Sequence, residues 1–162
     1  MLKSFATMSA LALALTVPAS AFAQSGGLLT DWAPSDMKTA IVAAGATVTK
    51  EGALDSAAPY VSGVTANGMK FAIYGTVCSG TPQRCKGANM SASFTLDSDA
   101  AVDARVKEID RSAVSVRNGG DKSLAVSRYI IFDNGITRAN LATNIEVFIE
   151  VAEDIWNGGG VE

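Results

Sequence analysis

Histidine is absent from all 162 residues of this chain. Its absence excludes the Ser-His-Asp and Cys-His arrangements of nucleophilic catalysis and removes the commonest agent of acid–base chemistry near neutral pH. Carboxylate and lysine chemistry remain open. Because no nucleotide or metal motif is present either, we interpret the chain as non-enzymatic and expect no cofactor.

Cysteine occurs only twice, as Cys78 and Cys85. A structural zinc site would need further ligands, and the chain has neither a second cysteine pair nor a histidine to supply them. The spacing is also wider than that of a CxxC redox motif. The pattern therefore predicts a disulfide that closes the loop 79–84, worth about 2.5 kcal/mol in the chain-entropy model.

Basic charge is scarce as well. The chain has 13 Lys and Arg against 16 Asp and Glu, a net charge of -3, and the basic residues do not cluster. Nucleic-acid binding depends largely on neutralising phosphates, and attachment to anionic lipid depends on basic clusters. We therefore expect neither nucleic acid nor a membrane surface as partner.

Long apolar runs are confined to the N-terminus, where Phe5–Val17 follows the single charge of Lys3. Ala21–Ala23 then places small residues at the positions that signal peptidase reads. An apolar run of about 13 residues is too short for a spanning helix, which needs about 20. We predict a secretory signal at 1–23 that is cleaved between Ala23 and Gln24. The mature chain is then periplasmic or secreted, without stable membrane insertion, and its roughly 139 residues can bury a core.

Three segments have helical periodicity. A first helix is predicted over Asp36–Ala44, with Ser35 as its N-cap and a flexible lead-in at 24–34 before it. A second is predicted over Ala100–Arg111. The last helix precedes a flexible tail at 158–162 and has five apolar residues on one face: Leu141, Ile145, Phe148, Ala152 and Ile155.

Period-two alternation fills the segments between these helices. It predicts a meander of three or four strands after the first helix, with Asn67-Gly68 as a hairpin turn, and two strands before the last. Since the strands follow one another as hairpins, we predict a single α+β domain over 35–157. Its antiparallel sheet has about five to six strands and is packed against helices on one face.

Several of these segments, in their order and spacing, resemble the YbjN family of bacterial proteins, often labelled sensory transduction regulators. The residues that carry the likeness are the Phe71–Gly75 strand running into Cys78, the nearby Cys85, the Ser91–Phe94 strand, and the Asp133–Arg138 turn leading through Leu141, Asn144 and Phe148 to Trp156. The likeness extends from about Asp36 to Trp156. It implies a fold similar to that of type III secretion chaperones, an α+β sandwich that serves protein–protein contact. Many relatives carry a Trp-Asn pair where this chain has Ile109-Asp110, and the family has no agreed catalytic or binding residues to carry over.

The last helix also carries the candidate partner surface, which consists of four acidic residues: Glu146, Glu150, Glu153 and Asp154. Like charges at i, i+4 spacing and acids near a helix C-terminus are both unfavourable, which suggests an acidic ridge for a basic partner. The alternative is a solvated face that keeps the domain soluble.

Three further sites each have a structural and a functional interpretation. Arg128 falls on the apolar side of its strand, so it either lies semi-buried against a carboxylate or marks an edge strand, with an anion site as the alternative. Asp133-Asn134-Gly135 is typical of a turn, with a cation site as the alternative. Asp97, Asp99 and Asp103 suit the start of a helix, with paired catalytic carboxylates as the alternative.

Together these patterns predict an exported, non-enzymatic protein-binding or chaperone-like module of unidentified partner, with a regulatory role if the family label holds. A small-ligand-binding periplasmic module is the alternative, and a deep apolar pocket between sheet and helices would favour it. A carboxylate-dependent hydrolase comes after it and would need two carboxyl groups about 5 to 10 Å apart in one cleft.

Overall fold

The computed structural model describes residues 27–54, 56–108 and 113–157. These residues form three helices, α1 (Pro34–Ala43), α2 (Asp99–Glu108) and α3 (Arg138–Trp156). They also form six strands: β1 (Thr47–Ala53), β2 (Pro59–Val64), β3 (Lys70–Ser79), β4 (Arg84–Thr95), β5 (Ser115–Gly120) and β6 (Ser123–Ile131). The predicted signal and its cleavage site, Ile109-Asp110, the predicted end of the second helix at Arg111 and the tail lie outside the described residues. None of the helices in the described ranges is long and apolar enough to cross a membrane.

All six strands form one antiparallel sheet in the order β1-β2-β3-β4-β6-β5. The predicted α+β class with an antiparallel sheet is confirmed. The β2–β3 hairpin turns at Asn67-Gly68 as predicted, with Gly68 at φ 89. The β5–β6 turn lies at Asp121 and Lys122, which both have positive φ.

One face of the sheet carries the hydrophobic core. Phe71 and Ile73 on β3, and Met90 on β4, alternate inward and are buried. All five apolar residues predicted for one face of α3 are buried, which confirms that amphipathic helix. The Phe148 ring of α3 meets Phe71 edge-on at 6.3 Å between centroids. Each such large side chain contributes about 1.5–3 kcal/mol when it is fully buried.

The lead-in predicted as flexible at 24–34 is part of the fold in its described portion, so that expectation is wrong there. Leu29 exchanges backbone hydrogen bonds with Ile136, at 2.8 and 3.0 Å, and Trp32 exchanges two with Cys85, both at 3.0 Å. Trp32 has no exposed surface, and its Nε1 donates to the Gly87 carbonyl at 2.9 Å. The burial of this large ring outweighs the entropy cost of ordering a segment whose Ser-Gly-Gly start indicated flexibility.

The first helix begins two residues earlier than predicted, at Pro34. Its N-cap is Ala33 and not Ser35, because Pro34 occupies the first helical position, where its missing N–H costs nothing. The Asp36 carboxylate accepts the Ala33 N–H at 3.0 Å and so supplies the capping interaction. At the start of α2, the Ser98 hydroxyl accepts the Ala101 N–H at 3.1 Å, within the segment predicted to cap it.

Candidate binding face

The sheet face opposite the core carries all three tyrosines of the chain, Tyr60, Tyr74 and Tyr129. The helices contribute their buried side chains to the core on the other face, and the side chains of this face are half-buried or exposed with few exceptions. We call it the open face. No single signal in the sequence marks it, because it depends on which strands become neighbours.

The strand register arranges the open face in rows that run across the strands. In the tyrosine row, Tyr60, Tyr74, Asn89 and Tyr129 lie opposite one another on β2, β3, β4 and β6. A second row, the small-residue row, lies two residues further along each strand than the tyrosine row. It consists of Ser62, Ala72, Ser91, Ser127 and Ser115. At about 4.8 Å per strand, the tyrosine row is about 14 Å long and the small-residue row about 19 Å long.

Glycines allow two of the tyrosine rings to lie over the sheet. A Cβ on Gly52 would lie 2.8 Å from Cε1 and 2.9 Å from Cζ of Tyr60. A Cβ on Gly87 would lie 2.9 Å from Cζ of Tyr129 and would contact its hydroxyl even more closely. Each ring therefore occupies the space above a glycine and presents a side to solvent, and 51% of Tyr129 is exposed.

Polar contacts hold these rings in place. The hydroxyls of Tyr129 and Thr76 lie 2.8 Å apart, within hydrogen-bond distance. Tyr60 and Tyr74 pack with 6.2 Å between ring centroids, and the Lys50 ammonium lies 5.7 Å from the Tyr60 centroid. That distance falls within the range of a cation–π interaction. The aromatic groups are thus positioned before any partner binds.

Two shallow depressions lie on this face and both open to solvent. The larger, about 720 Å³, includes Lys50, Leu54, Tyr60 and Tyr74 in its lining. The smaller, about 460 Å³, lies at the other end of the tyrosine row beside Asn89 and Tyr129. Neither lies between the sheet and the helices, where the small-ligand interpretation expected its pocket.

Charge is distributed unevenly between the two sides of the sheet. The described strand positions on the open face include Lys50, Lys70 and Arg117 but no aspartate or glutamate. Glu51 pairs with Val61 and therefore points to the core side, where it bonds Lys38 at 2.8 Å. A chain with a net charge of -3 thus presents a basic face.

The four acidic residues of the candidate partner surface lie on one side of α3, but their surroundings differ. Glu146 and Glu150 are exposed. The Glu153 carboxylate accepts hydrogen bonds from the Thr65 hydroxyl and, at 2.9 Å, from the Asn67 side chain. Asp154 is half-buried, and its Oδ2 is enclosed without a partner among the described residues. Glu153 thus holds α3 to the β2–β3 turn, which leaves two fully exposed acids on the ridge.

Arg128 is half-buried, but its acceptors are neutral and not the expected carboxylate. Its Nη1 donates to the Ala113 carbonyl at 2.9 Å and its Nη2 donates to Asn144 Oδ1 at 2.8 Å. β6 lies between β4 and β5, so it is not an edge strand, although β5 pairs with it only as far as Ser127. The arginine joins the sheet to α3.

The predicted disulfide between Cys78 and Cys85 is present. The two residues lie opposite each other on β3 and β4, with Cα atoms 4.0 Å apart. The N–H and C=O of Cys85 both bond Trp32, so they point away from Cys78. The cysteines therefore form a non-hydrogen-bonded pair, the arrangement that brings cross-strand side chains closest.

A group of charged residues binds the N-terminal segment to the disulfide loop and to α3. Arg84 bonds Asp31 at 2.7 Å and Asp36 at 3.3 Å, and Arg138 bonds Asp36 at 2.8 Å. Burial alone would raise the pKa of Asp36, but the Ala33 N–H and the two guanidinium groups together lower it. The hydrogen bond to Asp31 raises the pKa of Arg84 despite some burial. These groups fix the fold and lie away from the open face.

The remaining candidate carboxylates also have structural contacts. Asp133-Asn134-Gly135 forms the predicted turn, closed by the Gly135 N–H on the Phe132 carbonyl at 2.9 Å. Asp99 accepts the Lys122 N–H and Asp103 accepts the Asn118 side chain, both at 2.8 Å, so these acids bind α2 to the β5–β6 hairpin. Over the described ranges, no three or more His, Cys, Asp or Glu residues group as metal ligands would.

Comparisons of this chain with protein-family models, with curated proteins and with solved structures find no match.

Proposed function

We propose that the chain is an exported, non-enzymatic binding protein whose partner is another protein, bound on the open face of the sheet. The observation that carries the proposal is the composition of that face, where tyrosines, serines, glycines and an asparagine occupy adjoining rows. The same residue types dominate antibody binding loops. Tyrosine gives a large contact area at low entropy cost, while serine and asparagine give adaptable hydrogen bonds.

The dimensions of the open face suit a protein contact better than a small ligand. Six strands span about 24 Å across the sheet, and each strand has six residues or more and is therefore at least about 20 Å long. An area of that order is comparable to one side of a modest protein–protein interface. A small molecule is instead usually bound in a concave site that encloses most of its surface.

The proposal that the chain is exported rests on the predicted signal at 1–23. The disulfide is compatible with export, because disulfides persist in oxidising compartments. The resemblance to the YbjN family supports a chaperone-like or regulatory role for the binding. The open face and the acidic ridge at Glu146 and Glu150 are the two surfaces that the described residues offer for it.

Site-specific photo-crosslinking in the exporting cell distinguishes these surfaces. A photoreactive amino acid is placed at Tyr129, at Glu150 or, as a control, at Val42, which is 64% exposed on α1. We expect a protein adduct of discrete mass from position 129 and none from position 42. An adduct from position 150 alone would move the binding to the acidic ridge. Absence of any protein adduct from position 129 would contradict the proposal.

The captured protein is then purified and its affinity measured against matched variants. Tyr74→Ser with Tyr129→Ser removes two rings from the open face without touching the core, whereas Glu146→Gln with Glu150→Gln alters the ridge. We expect the tyrosine variant to bind at least about tenfold more weakly, since anchoring aromatic residues each contribute more than 1 kcal/mol. The ridge variant should bind like the wild type.

A further inference from the structure

We infer that the partner segment on the open face is an acidic, extended polypeptide that crosses the strands along the small-residue row. This inference rests on the proposed function and adds the chemistry of the partner. It depends on two properties of the face, its charge and its relief.

The charge of the open face is opposite to that of the whole chain. Lys50 lies at one end of the small-residue row, and Lys70 and Arg117 lie in the row beyond it, opposite Val64 and Ala125. Their ammonium and guanidinium groups form no ion pair with a carboxylate among the described residues. A partner with carboxylates would complement these cations, whereas a basic partner would be repelled.

The relief of the face defines a shallow channel. The small-residue row consists of serines and one alanine, so its floor is low. The tyrosine row rises on one side of it, and the side chains of Lys70 and Arg117 rise on the other. A chain that follows the floor therefore has aromatic rings along one side. On the other side it has two cations, with the small residues Ser93 and Ala125 between them.

The positions of the cations set the spacing of the acidic residues. Lys70 on β3 and Arg117 on β5 are three strand steps apart, or about 14 Å. An extended chain advances about 3.3 Å per residue, so carboxylates about four positions apart would reach both cations. Side chains between them that face the tyrosine row would pack on its rings.

The experiment uses labelled ten-residue peptides and the oxidised protein starting at Gln24. One peptide carries glutamates four positions apart in a Ser/Thr background, and its analogues carry glutamine or lysine at those positions. Binding is measured by fluorescence anisotropy at two ionic strengths, and NMR shifts locate the contact. We expect the glutamate peptide to bind best, with weaker binding at high salt because exposed charges are screened.

Two triple variants with the same change in net charge test the face. Lys50→Gln, Lys70→Gln and Arg117→Gln remove the cations of the open face. Lys86→Gln, Lys107→Gln and Lys122→Gln, the control, remove three exposed cations elsewhere. We expect the first variant to bind the glutamate peptide about tenfold more weakly, as three surface ion pairs would give, and the control to change less than about twofold.

Several results would overturn the inference. One is binding of the lysine peptide as tight as that of the glutamate peptide, and another is the same loss of affinity in both triple variants. A third is tighter binding of oligogalacturonate than of the glutamate peptide, which would indicate an acidic glycan as the partner. Self-association that the first triple variant abolishes would indicate a second copy of this chain. If the cross-linked partner is lost with the tyrosine variant but not with the open-face lysine and arginine variant, the proposed function stands and only the acidic chemistry fails. If position 129 captures no protein, both fail.

Discussion

Replacement of Trp32 by alanine tests whether the N-terminal segment belongs to the fold. The ring is completely buried, and truncating a buried tryptophan to alanine costs about 3–5 kcal/mol. Trp32→Phe keeps most of the apolar contact but removes the donor to the Gly87 carbonyl, so it should cost about 1–3 kcal/mol. Leu28→Ala, four residues earlier and 59% exposed, is the control and should change stability by less than about 0.5 kcal/mol.

The expected effect on the melting temperature follows from the size of the domain. At about 2.1 cal/mol/K per residue, the roughly 126 residues that the structure describes have an unfolding entropy near 0.26 kcal/mol/K. A loss of about 4 kcal/mol then lowers Tm by about 15 °C. Urea unfolding followed by circular dichroism gives the free energy independently of the tryptophan signal.

A stability for Trp32→Ala within about 0.5 kcal/mol of the wild type would refute this reasoning. The segment would then be a lead-in outside the fold, as the sequence alone predicted.

Two further predictions concern the groups around this segment. Because the pKa of folded Asp36 is lowered, its ionised form stabilises the fold above its unfolded pKa, near 3.8, and this contribution is lost as pH falls through the folded pKa. Asp36→Asn should therefore cost about 1–3 kcal/mol at pH 7 and progressively less below about pH 4. Asp133→Asn, in an exposed turn, is the control for the loss of a carboxylate. A pH-independent cost for Asp36→Asn in urea unfolding would contradict the prediction. Reduction of the disulfide should lower the free energy of unfolding by about 2.5 kcal/mol and should have no effect on the Cys78→Ser/Cys85→Ser variant. Two free thiols in the purified protein before reduction would contradict the bond.

Local patterns predicted most of the fold. Alternation along β3 and β4 placed Phe71, Ile73 and Met90 on the core side, because the period of a strand is two whatever it pairs with. The helical stripe of α3 was equally informative, since a 19-residue amphipathic helix has several turns in which to show its period. Asn67-Gly68 fixed a hairpin because its conformation is set by the two residues themselves.

The expectations that differ from the structure concern Trp32, the start of α1 and Arg128, and each has its own physical reason. The Ser-Gly-Gly start of the segment 24–34 predicts a flexible lead-in, but the burial of the Trp32 ring contributes more to stability than the ordering of the segment costs. Ser35 is a better N-cap residue than Ala33, but Pro34 is suited to the first helical position and shifts the start of α1. The position of Arg128 on the apolar side of its strand predicts a carboxylate partner or an edge strand, yet its acceptors are a carbonyl and an amide on a strand inside the sheet.

Local sequence patterns were sufficient for the α+β class, the disulfide and the helical faces, because each depends on residues that are close in the chain. The open face, in contrast, follows from the order and register of the strands in the folded sheet. The tyrosines come from β2, β3 and β6. They lie in one row because β4 pairs with β6 and not with β5, the strand that follows β4 in the chain. Similarly, Glu153 does not belong to the exposed acidic ridge, because it accepts a hydrogen bond from Thr65, 88 residues away in the chain. Strand order and register are set by the packing of the whole core, so a surface made from several strands cannot be derived from any one of them.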